Sequence, residues 1–163
     1  MWRTAATLVA GLVLASCSVA DDLHNAQIAT DGFHARYNAG QYRLIYEEAT
    51  DAFKKRMTAF GRGDAAAGIR LWEGFLSAHD RKYGAFQSSS QLFTDVNVNG
   101  GVTTIALSYD STFQRGKTVE RFQWIVSGAK PTLNCYLTQD LIDSSSEGVP
   151  EPLRSAVPDL LCR

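Results

Sequence analysis

The stretch TTIALSYDSTFQRGKTVERFQW (Thr103–Trp124) decides the fold, because its side chains alternate with the period of two that extended strands require. A turn at Gln114-Arg115-Gly116 divides it into two strands. Beyond the turn, Phe122, Trp124 and Val126 face inward. Before the turn, two sets of residues lie on opposite faces: Thr103, Ile105, Leu107 and Tyr109 on one, and Thr104, Ala106, Ser108 and Asp110 on the other.

The same pattern extends in both directions from this hairpin. Asn99-Gly100 is the strongest short hairpin signal in the chain. It follows an extended stretch whose apolar side is expected to hold Phe86, Leu92, Thr94, Val96 and Val98. Ser127-Gly128-Ala129 predicts another turn, before a fourth strand with Leu133, Cys135 and Leu137. Consecutive hairpins predict a four-stranded antiparallel meander.

Helical spacing precedes the strands. Asp21-Asp22 is expected near the start of a first helix that carries Leu23, Ala26, Thr30, Phe33 and Tyr37 on one stripe and ends at Asn38-Ala39-Gly40. A short helix over Gln41–Glu48 and a turn around Phe53–Met57 follow. Asp64 is the expected cap of a helix that ends before Gly84. The fold class is therefore α+β, with N-terminal helices packed on a curved meander.

The first residues read as an export signal. Residues 5–15 (AATLVAGLVLA) have the length of a signal-peptide apolar region and are too short to span a bilayer. They lead into Leu14-Ala15-Ser16-Cys17, which resembles the bacterial lipobox and implies lipidation of Cys17. The alternative is an ordinary secretory signal with Cys17 incidental. By resemblance to enterobacterial sorting, Ser18 in place of Asp favours the outer membrane, on its periplasmic face.

Length and composition support one globular domain. The chain has 163 residues, 45% of them hydrophobic, and a formal net charge of −1, which gives no basic field for nucleic acid. We expect four segments: a signal peptide (1–16), a short tether (17–22), the α+β domain (23–140) and a Pro/Ser-rich tail (141–163). In an oxidising envelope, the remaining cysteines, Cys135 and Cys162, are expected to form a disulfide; the alternative is two free thiols.

The order of elements resembles the nuclear transport factor two-like superfamily, which is close to the cystatin-like folds. FHARYNAGQYRLIYEEATDAFKK (Phe33–Lys55), HDRKYGAFQSS (His79–Ser89) and Thr103–Trp124 are similar to small bacterial lipoproteins of unknown function in that group. The resemblance implies a cone of helices and sheet. That superfamily includes enzymes, ligand carriers and binding modules, so the resemblance does not indicate which function this chain has.

Few residues suggest chemistry. In an enzyme of this superfamily, His79 would be a buried general base, with Asp95 or Asp110 as partner. The alternative is a helix-end histidine packed against aromatic rings. His24 and His34 are ten residues apart, cannot form a metal pair, and are expected on the surface. We expect no cofactor and no metal site.

Two further groups have structural alternatives. Lys54-Lys55-Arg56 would meet anionic headgroups or form a solvated helix face. Eight aromatic residues would line an apolar ligand pocket or form the core: Phe33, Tyr37, Tyr42, Tyr46, Trp72, Phe75, Phe122 and Trp124.

These observations favour a non-catalytic, lipid-anchored envelope module. It would bind a protein, a second copy of itself through the outer sheet face, or a small apolar ligand. That face is expected to contain Val102, Thr104, Ala106, Val119, Arg121, Gln123 and Ile125. The alternative is a small cyclase- or isomerase-like enzyme that uses a buried acid/base residue inside the cone.

Overall fold

The computed structural model describes residues 7–128 and 130–139, with side chains from residue 18 onward. Four helices precede four strands, which confirms the α+β class. The helices are α1 (Thr7–Asn38), α2 (Tyr42–Glu47), α3 (Asp51–Phe60) and α4 (Ala65–Tyr83). The strands are β1 (Phe86–Asn99), β2 (Val102–Phe113), β3 (Gly116–Ser127) and β4 (Lys130–Thr138).

The strands form one antiparallel sheet in the order β1-β2-β3-β4, curled but not closed. The pairs Asn99–Val102 and Phe113–Gly116 close the first two hairpins, as the turn signals predict. Gly100 and Gly101 have φ of +57° and +79°, a conformation that glycine adopts without steric cost. The β1–β2 and β3–β4 turns therefore lie at one end of the sheet, and the β2–β3 turn lies at the other.

Helix α1 is longer than expected. It begins at Thr7 rather than near Asp21-Asp22, so the acidic pair lies within the helix and not at its positive end. The Ala- and Leu-rich stretch upstream has high helix propensity, which favours continuation through the residues predicted as the tether. Thr103 donates a hydrogen bond of 2.6 Å to Asp22, so packing on the sheet begins at the last residue of that tether.

Helix α1 crosses the inner face of the sheet from one end to the other. Asp22 contacts β2 beside the β1–β2 turn, and Thr30 accepts a 3.0 Å hydrogen bond from Trp124 on β3. At the far end, the Asn38 side chain pairs with both backbone polar groups of Phe86. Within the described residues, no helix combines the length and the apolarity needed to cross a bilayer.

The other helices close the remaining part of this inner face. Helix α3 runs for ten residues, longer than the single turn expected, because Thr50 caps it through the Phe53 amide. Asp64 caps α4 as predicted, accepting a 2.8 Å hydrogen bond from Ala66, and Gly84 ends α4 with φ of +76°. These caps satisfy amides that helix starts leave unpaired.

The interior between helices and sheet is filled mainly by aromatic side chains. Of the eight aromatic residues considered as pocket lining, all but half-buried Tyr42 belong to the buried core. Trp72, Trp124 and Tyr109 are buried among them. The interpretation as a core therefore describes these rings better than the interpretation as the lining of an open pocket.

Strand β1 departs from the predicted alternation. Register shifts occur between Phe86 and Ser88 and between Gln91 and Phe93, so one extra residue interrupts the ladder at each place. Leu92 is the extra residue of the second bulge. It is exposed, and its predicted place on the inner side with Thr94 and Val96 was wrong.

Candidate functional site

A buried polar cluster joins α1 to β3 and β4 on the inner face. The Nε2 atom of His34 lies 2.9 Å from Oε2 of Glu120, and the Tyr136 hydroxyl donates a 2.5 Å hydrogen bond to Oε1. Glu120 is 0% exposed and His34 is 3% exposed. The cluster forms because Glu120 has the strand parity of Phe122 and Trp124, which directs it toward the helices.

Glu120 is held in its charged form. Burial alone would raise the pKa of this carboxyl, but the hydrogen bond and charge of His34, together with the Tyr136 hydroxyl, lower it below the ordinary value. Each carboxylate oxygen already has a partner. A carboxylate with a lowered pKa and both oxygens occupied is a weak general base near neutral pH, so this geometry favours a structural ion pair.

His34 also contacts strand β1. Its ring stacks on Phe86 with centroids 3.6 Å apart, and its Nδ1 atom is buried and has no hydrogen-bond partner among the described residues. The prediction that His34 is a surface histidine was wrong, whereas His24 is exposed as expected. The signal was present in the spacing, because His34 follows Thr30 by four residues and precedes Tyr37 by three on the buried stripe.

His79 lies in a second, mostly aromatic site near the end of α4. Its Nδ1 atom shares a 2.9 Å hydrogen bond with the Tyr37 hydroxyl, and its ring packs against Phe75, Tyr83 and Phe113. Burial raises the pKa of Tyr37, which keeps this hydroxyl protonated. The interpretation of His79 as a packed helix-end histidine describes this environment.

The aspartates considered as partners of His79 lie elsewhere. Asp95 is exposed on β1, opposite Ala106, and Asp110 lies on β2 opposite Val119. Ala106 and Asp110 belong to the face turned away from the helices, since their neighbours Ile105, Leu107 and Tyr109 are buried in the core. The sheet therefore separates both carboxylates from His79. The expectation that Asp95 or Asp110 partners His79 was wrong.

The basic run on α3 does not act as one surface. Lys55 is exposed, but Arg56 is half-buried and donates a hydrogen bond to the carbonyl oxygen of Asn134 on β4. The Thr50 hydroxyl also bonds the Asn134 side chain, at 2.8 Å. Arg56 thus fastens α3 to the edge of the sheet, and the interpretation of all three residues as a solvated or headgroup-binding face is wrong.

The lipidation of Cys17 and the disulfide between Cys135 and Cys162 stay predictions. Cys17 lies within helix α1, and Cys135 is buried on β4 opposite Gln123. Cys162 and the rest of the tail predicted over 141–163 lie outside the described residues, as does Ala129. Across the described ranges, no group of three or more His, Cys, Asp or Glu side chains is placed to hold a metal ion.

One surface groove lies between α1, α2 and the β3–β4 turn, with a volume of about 360 Å³. Its floor is apolar and includes Phe33 and Trp124, while the ion pair Arg36–Glu48 (2.8 Å) and Lys130 lie at its rim. Gly32 lines it, and a methyl group there would meet nothing within 4 Å.

A second groove, of about 430 Å³, lies on the outer face of the sheet. Leu92 and Phe93, next to each other at the bulge of β1, are 59% and 60% exposed. The groove continues across the sheet to Leu137 on β4, which is only 1% exposed. Lining residues include Leu92, Phe93, Ala106, Val119, Arg121 and Leu137.

Neither groove includes His34, His79 or Glu120 among its lining residues. The comparisons add no relative from which a role could be taken. No protein-family model matches the chain, and a comparison with curated proteins finds no match.

Proposed function

We propose that this chain is a lipid-anchored protein of the bacterial envelope, attached through Cys17, whose α+β domain is a non-catalytic module that binds a partner protein. The outer membrane, on its periplasmic side, is the favoured location. The lipobox-like ending of the apolar N-terminal stretch supports the anchor. The outer face of the sheet supports the binding role, and no cofactor is needed for it.

The observation that carries the binding role is the pair Leu92 and Phe93. Two adjacent large apolar side chains, each more than half exposed, border a groove with Ala106 and Val119. Exposed apolar groups that line a common groove mark interaction surfaces, whereas isolated ones are ordinary. Arg121 at the same groove supplies a charged, hydrogen-bonding group of the kind enriched in protein interfaces.

A protein partner fits this surface better than a small apolar ligand. A small ligand needs a concave site that covers most of its surface, whereas a surface that leaves Leu92 and Phe93 open to solvent offers side chains to another macromolecule. The partner would be a different protein with an apolar side chain for the groove. A second copy of this chain is the competing occupant.

Site-specific photocrosslinking tests the proposal in intact envelopes. A benzophenone side chain at Phe93 should give a discrete adduct with one protein, and the variant Leu92→Ser/Phe93→Ser should lose co-purification of that protein. Ile28 on α1, exposed to a similar extent (54%) but lining the first groove, is the comparison position for the outer face of the sheet. An adduct that forms equally from Ile28, or no adduct, would contradict the proposal; an adduct of twice the monomer mass would identify a homodimer instead.

The anchor has its own test. Cys17→Ala should abolish palmitate labelling and release the protein from membranes, because no acyl chain can then be attached. Cys17→Ser is the conservative companion variant and should behave in the same way. Labelling that persists in both variants would remove the anchor from the proposal.

A second candidate function, a small cyclase- or isomerase-like enzyme, would have to use the buried cluster. The unpartnered Nδ1 of His34 beside an ionised Glu120 is the observation for it. Such an enzyme would exchange the α-protons of an enolisable cyclic ketone with solvent. The wild-type protein should then speed deuterium incorporation into such a ketone, and Glu120→Gln should lose this effect while it stays folded. An incorporation rate equal to that in buffer alone would reject the enzyme for that substrate class.

A further inference from the structure

We infer that the end of the domain bearing the β1–β2 turn faces the lipid bilayer and that the turn contacts the phospholipid surface. This inference rests on the proposed lipid attachment at Cys17. It adds an orientation and a second membrane contact to that attachment.

The path from Cys17 to the sheet is short. Cys17 and Asp22 lie on the same helix, five residues apart, so about 7.5 Å separates them along the axis. Even fully extended, five residues span at most about 18 Å. Asp22 is bonded to Thr103, the second residue of β2, so the lipid attachment point lies close to that end of the sheet.

The distance from Cys17 to the sheet is similar to the thickness of a headgroup layer. Each polar headgroup layer is about 5–8 Å thick, as the difference between the full bilayer and its hydrocarbon core shows. The helical distance from Cys17 to Asp22 is of that size. Acyl chains in the hydrocarbon core therefore bring the β1–β2 turn down to the headgroups, while the β2–β3 turn at Gln114 remains at the far end.

The β1–β2 turn is apolar and uncharged. Val98 and Val102 flank it and are 56% and 36% exposed, although valine usually faces inward on a strand. Between them are only Asn99, Gly100 and Gly101, which carry no charge. Apolar groups on an uncharged turn are compatible with the headgroup–acyl boundary, where burial of apolar side chains is favourable.

Nearby charges define the kind of surface. Asp21 and Asp22 lie at this end on α1, and Lys130 lies beside the β3–β4 turn. Two carboxylates and one ammonium leave a net negative charge at this end, and an anionic leaflet would repel it. The surface that fits is therefore a zwitterionic one, and phosphatidylcholine vesicles are the suitable probe.

The test uses the full lipidated chain in such vesicles, with a tryptophan added at one end or the other. Asn99→Trp places it in the β1–β2 turn, and Gln114→Trp places it in the β2–β3 turn as the matched control. Both native tryptophans of the described domain, Trp72 and Trp124, are buried and give a constant background. Phosphatidylcholine brominated near the headgroup should quench the emission added by Asn99→Trp and spare that added by Gln114→Trp.

Hydrogen exchange of the unmodified protein provides a second measurement. Amides of residues 98–102 should exchange more slowly on vesicles than in detergent, and those of residues 113–116 should not change. Protein that fails to float with vesicles would overturn both the anchor and this orientation. Flotation with equal quenching at the two positions, or with unprotected amides at residues 98–102, would overturn the orientation alone.

Discussion

The two faces of the sheet carry opposite departures from the usual distribution of polar and apolar groups. The inner face buries a carboxylate, Glu120, hydrogen-bonded to His34 among aromatic rings. The outer face leaves Leu92 and Phe93 in solvent beside serines and threonines. Each departure costs free energy where it lies, but only the inner one is compensated within the domain, by hydrogen bonds. For the outer one, we propose compensation by a partner protein outside the domain.

Removing a large inner side chain should have the greatest effect. Trp124→Ala should lower the free energy of unfolding by roughly 3–5 kcal/mol, because it empties an aromatic site and removes the hydrogen bond to Thr30. Ile125→Ala, one residue along on the outer face, should cost much less. Urea denaturation measures both. Equal losses would mean that the two faces do not differ in packing.

The predicted bridge between Cys135 and Cys162 would connect the tail to the outer side of β4. In the chain-entropy model, closing this loop contributes on the order of 3–4 kcal/mol. Cys162→Ser should make the tail sensitive to protease while the core stays folded. Mass spectrometry of the unreduced, delipidated protein decides the matter: two thiols that alkylate without reductant would exclude the bridge.

The Glu120–His34 pair should rank next. Glu120→Gln should cost roughly 3 kcal/mol, the lower end of what breaking a buried ion pair costs, since the amide can keep one hydrogen bond. Glu48→Gln is the control, because its ion pair with Arg36 is partly exposed and worth little. A Glu120→Gln protein as stable as the wild type would show that the pair contributes no net stability.

The same pair predicts a dependence on acid. Because the pKa of Glu120 in the folded protein is below its ordinary value of 4.5, the unfolded state binds the proton first as pH falls. The stabilisation is complete above about pH 4.5 and is lost as the pH falls through the folded-state pKa. Urea denaturation at several acidic pH values measures the free energy of unfolding. This free energy should change less steeply with pH for Glu120→Gln than for the wild type.

The smallest effect on stability should come from the outer pair. Leu92→Ser/Phe93→Ser should change the free energy of unfolding by about 0.5 kcal/mol or less, as exposed substitutions usually do. Solubility and thermal denaturation check this without knowledge of the partner. A loss comparable to that of Trp124→Ala would show that these side chains support the fold and are not reserved for binding.

Local signals in the sequence were sufficient for most of the fold. Asn99-Gly100 and Gln114-Arg115-Gly116 act through their own backbone, and the Asp64 side chain accepts from an amide only two residues away, so the hairpins and the α4 cap could be predicted. The bulge at Leu92 could not, because it changes the register against β2 rather than any local pattern. The predicted start of helix α1 was wrong because Asp21-Asp22 resembles a helix start. The residues before this pair also form helix.

The polar cluster shows a different limit. His34 and Glu120 are 86 residues apart, and only the crossing of α1 over β3 brings them together. Each residue nevertheless departs from the local sequence pattern. His34 lies on the apolar stripe of α1, and Glu120 has the same strand parity as Phe122, Trp124 and Val126. Pairing the two exceptions would have predicted the contact. The outer groove had no such signal, because solvent exposure of Leu92 depends on the bulge.

The irregular ladder of β1 limits how far the sheet of one molecule can pair with that of another. If the protein is anchored as proposed, its molecules are concentrated in two dimensions, where the edge of one sheet readily meets that of another. An edge strand of 14 residues would then be a template for strand-to-strand aggregation. Its two bulges divide that edge into short segments with mismatched hydrogen-bond spacing, so the sheets of neighbouring molecules cannot join over their full length.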